Sequence, residues 1–228
     1  MPVSGRSPVG EPLPCTQAAV ARAVQRSWKE IPHLSITASI DMTSAQEMRA
    51  ISDAHGIRLS YDAILLKAMA RATADVPLVA AKLDGEKVVR LKGVHITLAI
   101  GFKNALHLPV VRDVDQKGLV TLQNEVADLV AKVKAGALRA EQTTGGCMAL
   151  SDLGMYPIEA FDAIIFPEHS TMLTVGAIQL EPVVLDGQVK VRPLVTVKLA
   201  ADHRLINGRT AAEFLTKVKE IIESGNLR

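Results

Sequence analysis

Two short stretches of this chain hold residue types that move protons and stabilise oxyanions. The first is Asp202-His203-Arg204-Leu205-Ile206-Asn207-Gly208, which follows a β-branched apolar run from Val191 to Leu199. A histidine at the end of a buried strand, with an amide side chain four residues on, has the makings of a general base. An ordinary imidazole pKa near 6.5 suits removal of a proton from a thiol whose own pKa is about 8.5. One ring nitrogen must be held so that the correct tautomer faces the substrate, and Asn207 or a backbone carbonyl is the available holder. Most lone histidines are core residues satisfied by backbone, but the flanking residues argue for chemistry here. Asp202 and Arg204 straddle His203 and are expected to form a structural ion pair that fixes the loop, with no part in the reaction.

The second stretch is Ser151-Asp152-Leu153-Gly154. Ser151 follows an apolar strand, Cys147 to Leu150, and precedes a tight turn. Its hydroxyl is suited to donating to a developing oxyanion. Capping the turn is the plainer role, and the local sequence favours it. Just upstream, Gly145-Gly146 permits close approach of a ligand or of another backbone segment; taken alone, a flexible loop is the plainer reading. The other five histidines, His33, His55, His95, His107 and His169, read as structural or surface residues. Cys147 falls in a buried strand with no paired base nearby.

The elements that must position these groups follow from periodicity. Helices are expected over Thr16–Lys29, where Val20, Val24 and Trp28 share a face, and from Thr43, as cap, to His55. Three more are expected over Tyr61–Ala74 after a Ser60 cap, Thr121–Lys134 and Glu213–Glu223. Strands are expected over Leu34–Met42, Val94–Phe102, Leu106–Arg112, Cys147–Leu150, Ala163–Phe166, Met172–Leu180 and Val195–Ala200. Asp84-Gly85 and Asp186-Gly187 mark two hairpins. Many strands with few crossover helices point to α/β (α+β) architecture, a mixed β-sheet flanked by helices in a single domain over 15–228. Residues 1–14, rich in Pro, Gly and Ser, read as an extended arm.

Composition narrows the class. With 228 residues, 48% of them hydrophobic, the chain can bury a full core without a disulfide. A formal net charge of +2, with basic residues spread out, argues against nucleic acid as partner. No apolar run reaches the ~20 residues of a membrane helix, and the N-terminus has no apolar signal core, so a cytoplasmic location (or the mitochondrial matrix in a eukaryote) is expected. No metal-ligand cluster, phosphate loop or Gly-x-Ser-x-Gly elbow occurs, and no metal is expected.

In order along the chain, Ile31-Pro32-His33, Leu108-Pro109-Val110-Val111-Arg112-Asp113, Asp115-Gln116-Lys117-Gly118-Leu119, Gly145-Gly146 through Ser151-x-Leu153-Gly154-Met155, and Asp202-His203-Arg204 with Asn207-Gly208 resemble the catalytic domain of the E2 acyltransferases of 2-oxo acid dehydrogenase complexes. The resemblance runs from about Leu13 to Glu223 and extends to chloramphenicol acetyltransferase. It implies a chloramphenicol acetyltransferase-like fold that forms trimers. It implies acyl transfer between a dihydrolipoyl thiol and coenzyme A, with His203 as general base, Ser151 as oxyanion donor and Asn207 at the family's Asp/Asn position beside the histidine. Gly145, Gly146, Leu153 and Gly154 then become candidate substrate-binding residues. The family's sites lie between subunits, so His203 is expected from one protomer and Ser151 from its neighbour.

Departures are informative too. Gln17 stands where the family often has arginine, and His107 where a small apolar residue is usual. The lipoyl domain and subunit-binding domain are not among these residues, so the lipoyl group or a carrier-protein thiol is expected in trans. The tail Ser224-Gly225-Asn226-Leu227-Arg228 is short and charged, which suggests a trimer that does not assemble into larger cores. Two other functions stay open: CoA-dependent acylation of a small molecule or carrier protein, and a non-catalytic core subunit.

Overall fold

A computed structural model describes residue 10, residues 12–13, residues 15–103 and residues 105–227, with only the backbone described at 15 and 16. The expected N-terminal arm lies almost wholly outside the described residues. Among the described residues nine strands form: β1 (His33–Asp41), β2 (Ala81–Asp84), β3 (Lys87–Arg90), β4 (Ile96–Phe102), β5 (Ala105–His107), β6 (Val110–Val111), β7 (Met148–Asp152), β8 (Thr171–Leu185) and β9 (Gln188–Asp202). Five α-helices accompany them: α1 (Cys15–Glu30), α2 (Thr43–Ala54), α3 (Tyr61–Asp75), α4 (Leu119–Ala135) and α5 (Gly208–Ser224). Seven strands make one sheet in the order β1-β9-β8-β7-β4-β5, with β6 also on β4, while β2 and β3 form a separate hairpin.

The sheet is mixed, as the pattern of elements predicts. β4, β7 and β8 run parallel at its centre, and β1, β5, β6 and β9 pair antiparallel around them. Parallel strands need cover on both faces, and the sequence supplies it. Thr171–Gly176 at the start of β8 is buried at every position. α3 is buried along nearly its whole length, Ala63 to Ala70, which explains why its apolar residues lack a single face. α4 and α5 are one-sided: Leu122, Val126, Leu129 and Val133 on the first, and Ala211, Phe214, Leu215, Val218 and Ile222 on the second, point to the core.

Several local expectations need correction. Thr43 does not cap α2; it is the first helical residue, and its backbone N–H and hydroxyl both donate to Asp41 Oδ1, at 2.9 and 2.5 Å. Ser60 does cap α3, accepting from the Ala63 N–H at 3.2 Å. Ala163–Phe166 is not a strand: no neighbour offers it a ladder, and Ile165 is buried in an irregular segment whose N–H donates to His33 Nε2 at 2.9 Å. The Leu106–Arg112 strand splits at Pro109, which has no N–H to give, although its carbonyl still accepts from Leu98. Trp28 does not share the half-buried setting of Val20 and Val24; it is 66% exposed, with its ring 5.5 Å from that of His33.

Candidate active site

The histidine turn is built by the end of β9. The carbonyl of Asp202 accepts from both Leu205 and Ile206, at 3.0 and 2.8 Å, closing a tight turn around His203 and Arg204. The His203 N–H donates to the Pro32 carbonyl at 2.9 Å, tying the turn to the start of β1. The Asp202 carboxylate is buried and accepts from the Arg204 backbone N–H at 3.0 Å, from Nε at 2.9 Å and from Nη2 at 2.6 Å. This is the expected ion pair, and it fixes the loop. The His203 side chain is left exposed on the outside of that turn. Asn207 does something not anticipated: its Oδ1 accepts from the Thr210 N–H at 2.9 Å, making it the N-cap of α5. That commits its oxygen to the helix and leaves only its NH2 to donate elsewhere.

Ser151 sits in β7, level with Ala99 on β4 and Thr174 on β8. It lines a cavity of about 840 Å³ walled largely by apolar side chains, among them Leu98, Ile100, Phe102, Leu150, Leu153 and Tyr156. Thr174 is in turn level with Lys198 on β9. From Lys198 the strand must run on past Asp202 to reach His203. Two strand spacings across the sheet and five residues along it separate Ser151 from His203 by roughly 19 Å. Within one chain the two side chains do not meet on one reacting atom.

The paired glycines serve the fold. Gly145 has φ +85°, a conformation that side-chain-bearing residues rarely adopt. Gly146 is buried: a Cβ there would overlap Thr97 Oγ1 and approach His169 Nε2 to 2.9 Å. Gly146 therefore permits close packing of its own chain, and the substrate-binding role expected for Gly145 and Gly146 is a separate proposal. Leu153 and Gly154 fare differently. Leu153 faces the 840 Å³ cavity, and Gly154 lines a second cavity of about 520 Å³ beside it.

His33, His95 and His169 are held by hydrogen bonds within the fold. His33 donates from Nδ1 to the Ile31 carbonyl at 2.7 Å and accepts at Nε2 from Ile165, which defines its tautomer. His169 is bound between Pro167 O at 3.2 Å and Thr97 Oγ1 at 2.7 Å, and burial pulls its pKa below the ordinary imidazole value. His95 Nδ1 accepts from the Asp113 N–H at 3.0 Å. Burial pushes the Cys147 thiol up, which makes it a poor nucleophile. Among the described residues no cluster of three His, Cys, Asp or Glu side chains could hold a metal, and no helix is long and apolar enough to cross a membrane.

One feature escaped the sequence. Asp62, near the start of α3, and Asp152, the residue after Ser151, stand in the walls of the same two cavities. Burial, then the charge of Asp152 and its hydrogen bond, push Asp62 up to about 7. Asp152 is also pushed up by burial, against the opposing pull of the Gly154 N–H, which donates to Oδ1 at 2.6 Å. Two carboxyl groups in one partly buried wall disfavour double ionisation, so the proton is a property of the pair. Both carboxyls line both the 840 and the 520 Å³ cavities. In sequence Asp62 reads as an ordinary acidic residue in a first helical turn; nothing local links it to a turn ninety positions on.

Fold and site together define a class. Residues 6–227 match the family described as 2-oxoacid dehydrogenases acyltransferase (catalytic domain), and the chain belongs to it. It is 28% identical over 90% of its length to the dihydrolipoyllysine-residue acetyltransferase component of the pyruvate dehydrogenase complex of Zymomonas mobilis. It is 30% identical over 96% of its length to the succinyltransferase component of the 2-oxoglutarate dehydrogenase complex of Escherichia coli. The chain spans about half the length of these relatives, 47% and 56% respectively. Its fold matches the crystal structure of the Azotobacter vinelandii dihydrolipoamide acetyltransferase with a TM-score of 0.87 and 30% identity, covering 97% of each chain. In that enzyme a serine, a histidine and an asparagine were investigated for their catalytic roles. A chloramphenicol acetyltransferase shares the fold, at a TM-score of 0.56 and 17% identity over 88% of this chain and 94% of that one.

Proposed function

We propose that this chain transfers an acyl group between a dihydrolipoyl thiol and coenzyme A, at sites shared between the protomers of a homotrimer. The observation that carries the reading is the separation of Ser151 from His203 in one chain: each is poised for chemistry, yet they lie roughly 19 Å apart. A second protomer supplies the missing half of each site. His203 of one protomer accepts the proton of the attacking thiol. The thiolate adds to the thioester carbonyl, and the resulting oxyanion accepts a hydrogen bond from the Ser151 hydroxyl of the neighbour. Collapse expels the second thiolate, which takes the proton back from His203. Charge and protons balance with no metal or redox step. The Asp202–Arg204 pair fixes the turn from which His203 projects, and the NH2 of Asn207 is left to help orient the ring or substrate. The lipoyl group arrives in trans on its own carrier.

Complementation tests both the residues and the shared site. Ser151→Ala and His203→Ala chains are each assayed for acetyl transfer from acetyl-CoA to dihydrolipoamide, then co-expressed. Random mixing restores an intact Ser151–His203 pair at about a quarter of subunit interfaces. Recovery of that order supports the reading; a mixture as inactive as its parents removes the inter-subunit site. A wild type inert with dihydrolipoamide but active on another acceptor moves the activity to a carrier protein or small molecule.

A further inference from the structure

Asp62 and Asp152 are not needed by the proton transfer described above, yet they stand beside Ser151. Ser151 and Asp152 are consecutive in β7, and Asp152 and Asp62 share the wall between the two cavities that open there. An acyl chain held by its carbonyl at Ser151 has two places for its far end, the 840 Å³ cavity and the 520 Å³ cavity. It meets the carboxyl pair in either. We propose that Asp62 and Asp152 determine acyl specificity, admitting uncharged acyl chains and rejecting those that end in a carboxylate. This deepens the acyltransferase reading and rests on it.

The argument is electrostatic. Asp152 Oδ1 accepts the Gly154 N–H at 2.6 Å, a bond that favours the ionised carboxylate, and Asp62 adds a second acidic group to the same wall. A second carboxylate brought into the same partly buried wall faces like charge with little water to screen it. Cations do stand on these walls, but each is turned to other partners. The Arg49 guanidinium stacks 4.0 Å over the Tyr61 ring and donates through Nε to the Leu59 carbonyl at 2.7 Å. Lys103 Nζ lies 5.4 Å from the Phe102 ring centre. The remaining lining of the larger cavity is mostly apolar, which suits a short hydrocarbon chain.

The test is a donor profile. The kcat/KM values of acetyl-CoA, isobutyryl-CoA and succinyl-CoA are measured with dihydrolipoamide for the wild type and for Asp62→Asn, Asp152→Asn and the double variant. Wild type is expected to favour both uncharged donors over succinyl-CoA by at least about 10²-fold. In the double variant the succinyl-to-acetyl ratio is expected to rise at least about tenfold, mostly through a lower KM for succinyl-CoA. A wild type that prefers succinyl-CoA overturns the inference without any variant. So does an active double variant whose ratio is unchanged. A wild type inert with all three donors overturns the thiol-to-thiol reading, and the inference with it.

Discussion

The two halves of the site are built in opposite ways. Ser151 lies on a central strand, in the wall of a cavity, with strands on both sides and a carboxyl pair beside it. His203 stands on an exposed turn at the end of β9, held only by its backbone and by the buried Asp202 beneath it. The first half is a receptacle that needs something brought to it. The second is a projecting group that needs somewhere to go. In the proposed mechanism a second copy of the chain brings the two together. The rigidity also differs: Ser151 is positioned by the sheet, whereas His203 depends on a few specific hydrogen bonds in one turn.

The sharpest way to break this comparison is to remove each half. Ser151→Ala is expected to lower turnover by about 10²–10³-fold if its hydroxyl is the oxyanion donor. His203→Ala is expected to lower it by at least about 10²-fold as the base is lost. Near-normal turnover in either variant, in a steady-state assay with dihydrolipoamide, removes that residue from the mechanism. Next in size is the support of the histidine turn. Arg204→Ala leaves the Asp202 carboxylate buried with only backbone donors. Because the Arg204 side chain is 40% exposed in the pair, the loss of stability is expected at about 2–3 kcal/mol, below the range for a wholly buried pair. Denaturant unfolding measures it; no change in midpoint means the turn is held by backbone alone.

Two smaller effects sharpen the contrast. Asn207→Ala removes the cap of α5 and should cost about 1 kcal/mol, read as a lower Tm. If activity falls much further than stability, the NH2 group acts in the site as well as the oxygen acting in the helix. On the other half, the raised pKa of Asp62 makes stability depend on pH with a definite sign. The folded chain holds this proton up to about 7, and the unfolded chain releases it near the ordinary carboxylate value of 3.8. Between those values the native state binds more protons, so stability falls as pH rises from about 4 to about 7. Asp62→Asn should flatten that decline, gaining about 3 °C or more in Tm at pH 8 relative to wild type. Parallel Tm profiles for the two proteins argue against a shared proton.

Much of this was legible in the amino-acid order, for identifiable reasons. Helical periodicity located α4, the Ser60 cap marked the start of α3, and Asp186-Gly187 marked the β8–β9 turn, because each depends on neighbours along the chain. Ile165 misled for the converse reason: buried apolar residues read as a strand, but a strand also needs a partner, and sequence shows none of the pairing. The packing role of Gly146 was hidden, because a glycine needed for close packing and one needed for a ligand look alike until Thr97 and His169 are seen against it. The turn motif exposed His203 and its ion pair at once, since Asp202, His203 and Arg204 are adjacent. The Asp62–Asp152 contact was invisible because two elements far apart in the chain create it.

The bond from His203 N–H to Pro32 O has a consequence for the order in which the molecule is completed. Among the described residues β1 is the first strand in chain order, and its ladder partner is β9, the last of them. The strand from His33 to Asp41 must wait, unpaired, until the chain has been made as far as β9. When β9 finally docks, one closing event gives β1 its neighbour and brings the histidine turn onto Pro32. A nascent chain cut short before Asp202 therefore has an open sheet edge as well as no base, and is a candidate for early clearance by quality control.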